Sequence, residues 1–307
     1  MTIKKLLIGT AVLFVGVPVV LIAALLVSVS VLDRANGAII SSGRKREYLL
    51  HVPGSYDPAT PAPLVISLHG ATNWPAYQMK ISRWNAAADE HGFLVVYPAG
   101  TGTGPKAWFM EGMRTPSRMP DVVFISELID TLEAHYTIDP TRIYVSGFSN
   151  GGGMAFVLSC TLADRIAAIG TVAAAQSLPW SWCPDSTPVP MIAFHGTADP
   201  IVPYGGGKVW IAPEPFPSVP AWTDNWARRN RCGATPDTAA VAPDVIRAEF
   251  TGCADNAGVV LYTVRGGGHQ WPGGKAIPEW LVGPMSSEVD ATALMWAFFR
   301  EHPLRRN

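Results

Sequence analysis

The stretch Arg142-Ile143-Tyr144-Val145-Ser146-Gly147-Phe148-Ser149-Asn150-Gly151-Gly152 decides the fold. Residues 142–146 are a β-branched and aromatic run, short enough for a buried strand. The pattern Gly-x-Ser-x-Gly follows directly, and beyond it Met154, Val157, Leu158 and Leu162 recur at helical spacing. A strand that turns at once into a helix forces the central Ser149 into strained backbone angles and crowds its neighbours. Gly147 and Gly151 bring no Cβ to that crowded place. This is the nucleophile-elbow pattern in the strand–turn–helix setting it needs. Ser149 Oγ then stands at a helix N-terminus, where partial positive charge favours a developing oxyanion.

Working outward, apolar runs at 48–52, 64–68, 93–97, 169–172, 191–194 and 259–264 predict further strands. Between them fall helical patterns. One lies around 86–90. A second covers 121–136, with Val122, Ile125, Leu128, Ile129, Leu132 and Tyr136 on one face and Asp121 as N-cap. The last runs from about 288 to 300, with Ala291, Leu294, Met295 and Phe298 together. Continuous apolar strands between amphipathic helices predict an α/β fold, a mostly parallel central sheet with helices on both faces. Residues 205–222, rich in Gly, Pro and Trp, read as an excursion or lid. No internal repeat stands out.

A serine hydroxyl is a weak nucleophile unless a base takes its proton and a carboxylate orients the base. The strand at 191–194 runs into His195-Gly196-Thr197-Ala198-Asp199-Pro200, which puts Asp199 on the loop after a core strand. The strand at 259–264 runs into Arg265-Gly266-Gly267-Gly268-His269-Gln270-Trp271-Pro272, which puts His269 at the corresponding sheet edge. The order Ser149, Asp199, His269 is that of α/β hydrolases. His69 and His195 are rivals for the base; His195, just before Asp199, reads as positioning the acid loop. An oxyanion hole needs two backbone N–H groups. One is expected from Asn150, the other from Ala71 or Thr72 on the loop His69-Gly70-Ala71-Thr72-Asn73. Trp271, Trp180 and Trp182 are candidates to stack on an aromatic acyl group or a sugar, with simple packing as the competing reading.

The bulk numbers bound the rest. The 307 residues carry a formal charge of −1, and setting aside Lys4 and Lys5 leaves 21 basic side chains against 24 acidic. There is no basic stripe, which argues against nucleic acid as a partner. Residues 6–32 carry no charge. They exceed the ~20 residues that span a bilayer and the ~7–15 of an ordinary signal core. Lys4 and Lys5 ahead of them place the N-terminus in the cytoplasm and the remainder outside. An uncleaved anchor is the first expectation. A signal cleaved after Ser28-Val29-Ser30 or Ala35-Asn36-Gly37 is the second. On this reading 1–37 is a membrane anchor or signal segment with a short linker, and 38–307 is a single catalytic domain. No further protein partner is evident. Cys160, Cys183, Cys232 and Cys253 form an even set in an exported chain and allow three disulfide pairings. Proximity in sequence favours Cys160–Cys183 and Cys232–Cys253. No C-x-x-C occurs, so no metal site is expected.

Four segments together carry a family resemblance: Leu68-His69-Gly70-Ala71-Thr72, Gly147 to Gly152, His195-Gly196-Thr197-Ala198-Asp199-Pro200-Ile201-Val202-Pro203-Tyr204, and Gly266 to Gly273. Over about residues 45–300 the chain resembles the polyhydroxybutyrate depolymerase/feruloyl esterase family, grouped with carbohydrate esterases such as acetylxylan esterases. The resemblance implies an α/β-hydrolase fold, a Ser149–Asp199–His269 triad, secretion, and hydrolysis of an ester substrate without a cofactor. The segment from Asn225 to Cys232 also looks like a family segment and supports pairing Cys232 with Cys253. Many members carry Cys where this chain has Ala71, which leaves the second oxyanion donor open. An exported peptidase or acyltransferase on the same fold, or a silent binding protein, are the alternatives to an esterase.

Overall fold

The computed structural model describes residues 33–102, 104–108, 119–183, 187–209 and 214–305. The chain divides into Met1–Arg34 and Ala35–Asn307, and the second unit is described here. The charge-free segment 6–32, expected to be an anchor or signal, lies outside the described residues. Among those described, no helix is long and apolar enough to cross a membrane.

Alternating side chains on buried strands must find cover on both sides of a sheet, and this sets the layers. The strands are β1 (Gly37–Ser41), β2 (Arg44–His51), β3 (Ala62–Leu68), β4 (Leu94–Pro98), β5 (Ile138–Phe148), β6 (Ala168–Val172), β7 (Met191–Gly196), β8 (Asp237–Ala242), β9 (Val245–Phe250) and β10 (Val259–Val264). They form one sheet in the order β1-β2-β4-β3-β5-β6-β7-β10-β9-β8. From β4 to β10 the strands run parallel. The outer pairs at each edge are antiparallel.

The helices are α1 (Pro75–Ser82), α2 (Trp84–His91), α3 (Pro120–His135), α4 (Asn150–Thr161), α5 (Val219–Arg229), α6 (Glu279–Val282) and α7 (Ala291–Glu301). On β3, Leu64, Ile66 and Leu68 face a layer with Phe124 and Ile125 of α3, Phe156 of α4 and Trp226 of α5. Val65 points the other way, toward Ile81 of α1, Trp84 of α2 and Phe299 of α7. β3 and β4 are buried along their whole length, so they read as continuous apolar runs.

Local chemistry shifts some boundaries from their expected places. Met119, not Asp121, caps α3, and Pro120 opens its first turn. The Asp121 carboxylate is committed elsewhere: it accepts from Arg46 Nη2 at 2.6 Å and from Thr101 Oγ1 at 3.0 Å, in a buried ion pair. The described part of 205–222 includes a bridge between Gly207 and Phe216 and the first turns of α5, capped by Ser218. Cys160 at the end of α4 pairs with Cys183, and Cys232 just beyond α5 pairs with Cys253. Closing loops with sequence separations of 23 and 21 contributes about 3 kcal/mol each in the chain-entropy account.

Candidate active site

β5 ends at Phe148 and α4 begins at Asn150, leaving Ser149 alone to make the turn. Its φ is 54° and ψ −120°, a conformation L-residues avoid. The Ser149 N–H donates to the Val172 carbonyl at 2.8 Å, and its own carbonyl accepts from Gly152 and Gly153. The two elbow glycines have a direct steric reason. A Cβ on Gly147 would stand 2.3 Å from the Gly151 carbonyl oxygen, and one on Gly151 would stand 2.3 Å from that of Leu68.

Asp199 follows β7 and His269 follows β10, and these strands are parallel neighbours. Their loops are tied directly together: Ala198 N–H donates to the Gly267 carbonyl at 2.9 Å, and Gly266 N–H to Thr197 Oγ1 at 2.8 Å. The result is a 2.7 Å hydrogen bond between His269 Nδ1 and Asp199 Oδ2. A carboxylate only accepts, so Nδ1 carries the proton and Nε2 is left as the basic nitrogen. The other carboxylate oxygen accepts from the N–H groups of Ile201 and Val202, each at 2.8 Å. Both residues are buried. The His269 ring lies 4.9 Å from that of Phe148, the residue before the serine. Among the described residues no hydrogen bond joins Ser149 Oγ to His269; contacts of this kind tighten when substrate binds.

His195 is the third group at this carboxylate. Its Nε2 lies 3.4 Å from Asp199 Oδ2 and 2.8 Å from the Val202 carbonyl oxygen, inside the acid loop. Burial pushes its pKa down, and the nearby Asp199 charge only partly opposes that. It holds the loop in which Asp199 sits.

The oxyanion side is built from His69. Gly100 N–H donates to His69 Nε2 at 3.0 Å, so Nδ1 bears the proton and donates to the Gly70 carbonyl at 2.7 Å. Complete burial, reinforced by the Lys106 and Arg46 charges, lowers the His69 pKa from 6.5 to about 4 despite the Gly70 bond. The neutral ring shapes the turn into Ala71 and Thr72, where Thr72 has φ 56°. Across from it the Asn150 side chain clamps Trp108, accepting from its N–H at 2.7 Å and donating to its carbonyl at 3.2 Å. Trp108 Nε1 in turn donates to the His69 carbonyl at 2.9 Å. The side chain of Asn150 is thus occupied, while its backbone N–H is in the first turn of α4, where helix donors lack intrahelical partners.

This network carries a pH signature. The unfolded chain binds a proton at His69 near pH 6.5, whereas the folded chain resists until about pH 4. Stability is therefore fully present above pH 6.5 and falls as the pH drops toward 4, by on the order of 3 kcal/mol. Denaturant unfolding at pH 7 and pH 4 should show this loss, and His69→Gln should show a loss smaller by roughly that amount. An identical pH dependence in the variant would refute the assignment.

The tryptophans expected to meet substrate divide. Trp271 is 1% exposed, and its Nε1 donates to Thr292 Oγ1 at 2.9 Å, which in turn bonds the Ser82 carbonyl. That ring is core and offers no face to a ligand. Trp180 packs edge-on against Phe156 and Trp226, at 4.8 and 5.8 Å. Trp182 is half-buried in the same short turn. Sequence reasoning passed over Trp280, which is 86% exposed on α6. That helix sits beside the histidine loop, since His269 N–H donates to the Val282 carbonyl at 2.6 Å. Gln270 was passed over too; it fixes this segment by bonding Ile277 through both ends of its amide. No side-chain cluster able to hold a metal occurs among the described residues.

A parallel sheet flanked by helices, with an elbow serine after one strand, defines the α/β-hydrolase class. The solved acetyl xylan esterase from Aspergillus awamori shares this fold, with a TM-score of 0.61 at 15% identity over 85% of this chain and 98% of that one. A family model described as Phospholipase/Carboxylesterase matches residues 58–210. "Putative esterase NocK" of Nocardia uniformis subsp. tsuyamanensis is 32% identical over 254 residues, 77% of this chain and 73% of that protein. Feruloyl esterase B of Piromyces equi is 30% identical over 75% of this chain and 44% of its own length. The bifunctional acetylxylan esterase/xylanase XynS20E of Neocallimastix patriciarum is 35% identical over 53% of this chain. The chain spans 22% of the length of XynS20E and less than half of feruloyl esterase B. The chain belongs to the phospholipase/carboxylesterase family of α/β hydrolases. Esterases stand among its relatives.

Proposed function

We propose that the chain hydrolyses carboxylic esters, with Ser149, His269 and Asp199 working through an acyl-enzyme. The observation that carries this reading is the 2.7 Å bond from His269 Nδ1 to Asp199 Oδ2, on loops that follow neighbouring strands of the sheet that also presents Ser149. Ser149 Oγ attacks the ester carbonyl as His269 Nε2 takes its proton. Asp199 holds the imidazole and stabilises its charged form. Asn150 N–H and a second donor from Ala71 or Thr72 receive the oxyanion. His269 then protonates the leaving alcohol, and water activated the same way releases the acid.

The names of the relatives support esters of feruloyl, acetyl-sugar or hydroxyalkanoate type as its substrates. The enzyme works outside the cytoplasm. Two disulfides support this, because such bonds persist in oxidising compartments, and the charge-free N-terminal segment serves as the export signal or anchor. A panel of methyl ferulate, acetylated xylan and 3-hydroxybutyrate oligomers, run beside matched amides, tests the reading. One ester class is expected to be turned over with kcat/KM well above the others. Cleavage of amides with all esters untouched would sink it.

A further inference from the structure

An oxyanion hole stabilises charge only when two N–H groups converge on one oxygen, each about 2.7–3.1 Å away. In this chain the two candidate sources lie on different elements. Asn150 opens α4 after β5, and Ala71 and Thr72 follow β3. The pairing of β3 with β5 ends at Leu68 and Gly147, so the donors stand beyond the register that the sheet enforces. A misplacement of about 1 Å between them would cost on the order of 10²-fold in rate. Something outside the sheet has to set their spacing.

The segment that follows β4 ties the two halves together. Lys106 N–H donates to the Asn73 carbonyl at 2.8 Å, and Asn73 N–H to the Lys106 carbonyl at 3.2 Å. Asn73 ends the loop that carries Ala71 and Thr72. Two residues on, Trp108 exchanges hydrogen bonds with the side-chain amide of Asn150, its N–H to Oδ1 at 2.7 Å and its carbonyl from Nδ2 at 3.2 Å. Its indole Nε1 donates to the His69 carbonyl at 2.9 Å, and its ring lies 5.2 Å from the imidazole. Residues 106–108 therefore hold Asn150 on one side and both ends of the His69–Asn73 loop on the other. The strap is itself anchored. Thr101 and Ala107 exchange backbone bonds at 2.9 and 3.1 Å, and Gly100 N–H donates to His69 Nε2 at 3.0 Å.

Trp108 is 3% exposed and packs into the core. Packing alone does not account for its polar contacts. The buried indoles of Trp84, Trp222 and Trp296 have no hydrogen-bond partner, whereas that of Trp108 reaches the residue that opens the oxyanion loop. We propose that Trp108 is a positioning residue for the oxyanion hole: the strap 106–108 sets the spacing between the Asn150 N–H and the donor from Ala71 or Thr72. This rests on the reading of Ser149 as the nucleophile. Trp108 touches no reacting atom. It keeps both halves of the hole in place before charge develops, so that neither has to move during the reaction.

Two substitutions in the full-length protein release the strap at different points. Trp108→Phe keeps the ring and the backbone pair with Asn150 but removes the indole N–H. Asn150→Ala keeps the backbone N–H and removes the clamp; Asn150 is only half-buried, so this variant serves even if the core change at Trp108 unfolds the protein. Each should lower kcat for p-nitrophenyl acetate by about 10–100-fold with KM little changed. Binding of an alkyl trifluoromethyl ketone should weaken by a similar factor. Ser149 Oγ adds to its carbonyl carbon, the hydroxyl proton passes to His269, and the former carbonyl oxygen becomes the oxyanion. The double variant should fall little below the worse single one, because both changes release the same strap. Folded variants with kcat within about two-fold of wild type, ketone affinity unchanged where kcat has fallen, or strictly additive losses would each overturn the proposal. Ser149→Ala, run alongside, separates the two levels. An inactive Ser149→Ala beside wild-type turnover in the strap variants rejects the strap alone, whereas an active Ser149→Ala rejects the nucleophile reading beneath it.

Discussion

Ser149→Ala is expected to lower kcat for p-nitrophenyl acetate by about 10⁶-fold, with KM little changed, because it removes the group that forms the covalent bond. What survives should be the residual acceleration from the oxyanion donors and binding alone, about 10³–10⁴ over water. The fold should be indifferent to the change. The backbone anchors of the turn, Ser149 N–H to Val172 and the Ser149 carbonyl to Gly152 and Gly153, do not involve the hydroxyl. The φ of 54° is as awkward for alanine as for serine. A variant with wild-type thermal unfolding and no turnover is therefore the expected pair of results. Turnover near the wild-type rate would place the nucleophile elsewhere.

Asp199→Asn should cost about 10⁴-fold in kcat, for a different reason. The asparagine carbonyl can still accept from Ile201 and Val202, where Asp199 Oδ1 accepts now. Its amide then faces His269 Nδ1 and donates to it, where the carboxylate accepts at 2.7 Å. The imidazole is driven to the tautomer with its proton on Nε2, the nitrogen that must be basic. Geometry is kept and the base is lost. Pre-steady-state measurement should show acylation and deacylation both slowed, because the same base serves both steps. A fall of less than ten-fold would mean that the carboxylate serves the loop and not the reaction.

Much of this was legible in the residues because it rests on local rules. Buried parallel strands are unbroken apolar runs, so β3, β4, β7 and β10 were visible from composition. The elbow was visible because two glycines are forced by backbone contacts of 2.3 Å. The order Ser149, Asp199, His269 was visible because each residue follows its strand. The edge strands β1 and β8 were not: their apolar stretches, Ala38–Ile40 and Ala239–Ala242, are short and made largely of small residues, and β8 is exposed at nearly every position. Other failures involve residues distant in sequence. Asp121 looked like a helix cap until Arg46, far away in the chain, claimed its carboxylate. Trp271 looked like a substrate platform because it neighbours His269, but its indole faces the α7 side through Thr292. The Asn150–Trp108 clamp and the His69–Gly100 bond join separate loops, and no spacing rule reports them.

The central claim, that Ser149 is the nucleophile activated by His269, is tested most directly by covalent labelling. The folded protein is treated with a fluorophosphonate, digested, and the modified peptide sequenced by mass spectrometry. A single adduct on Ser149, abolished by His269→Ala while the protein stays folded, is the predicted result. An adduct on another residue, or full esterase activity after treatment with Ser149 unmodified, would contradict it.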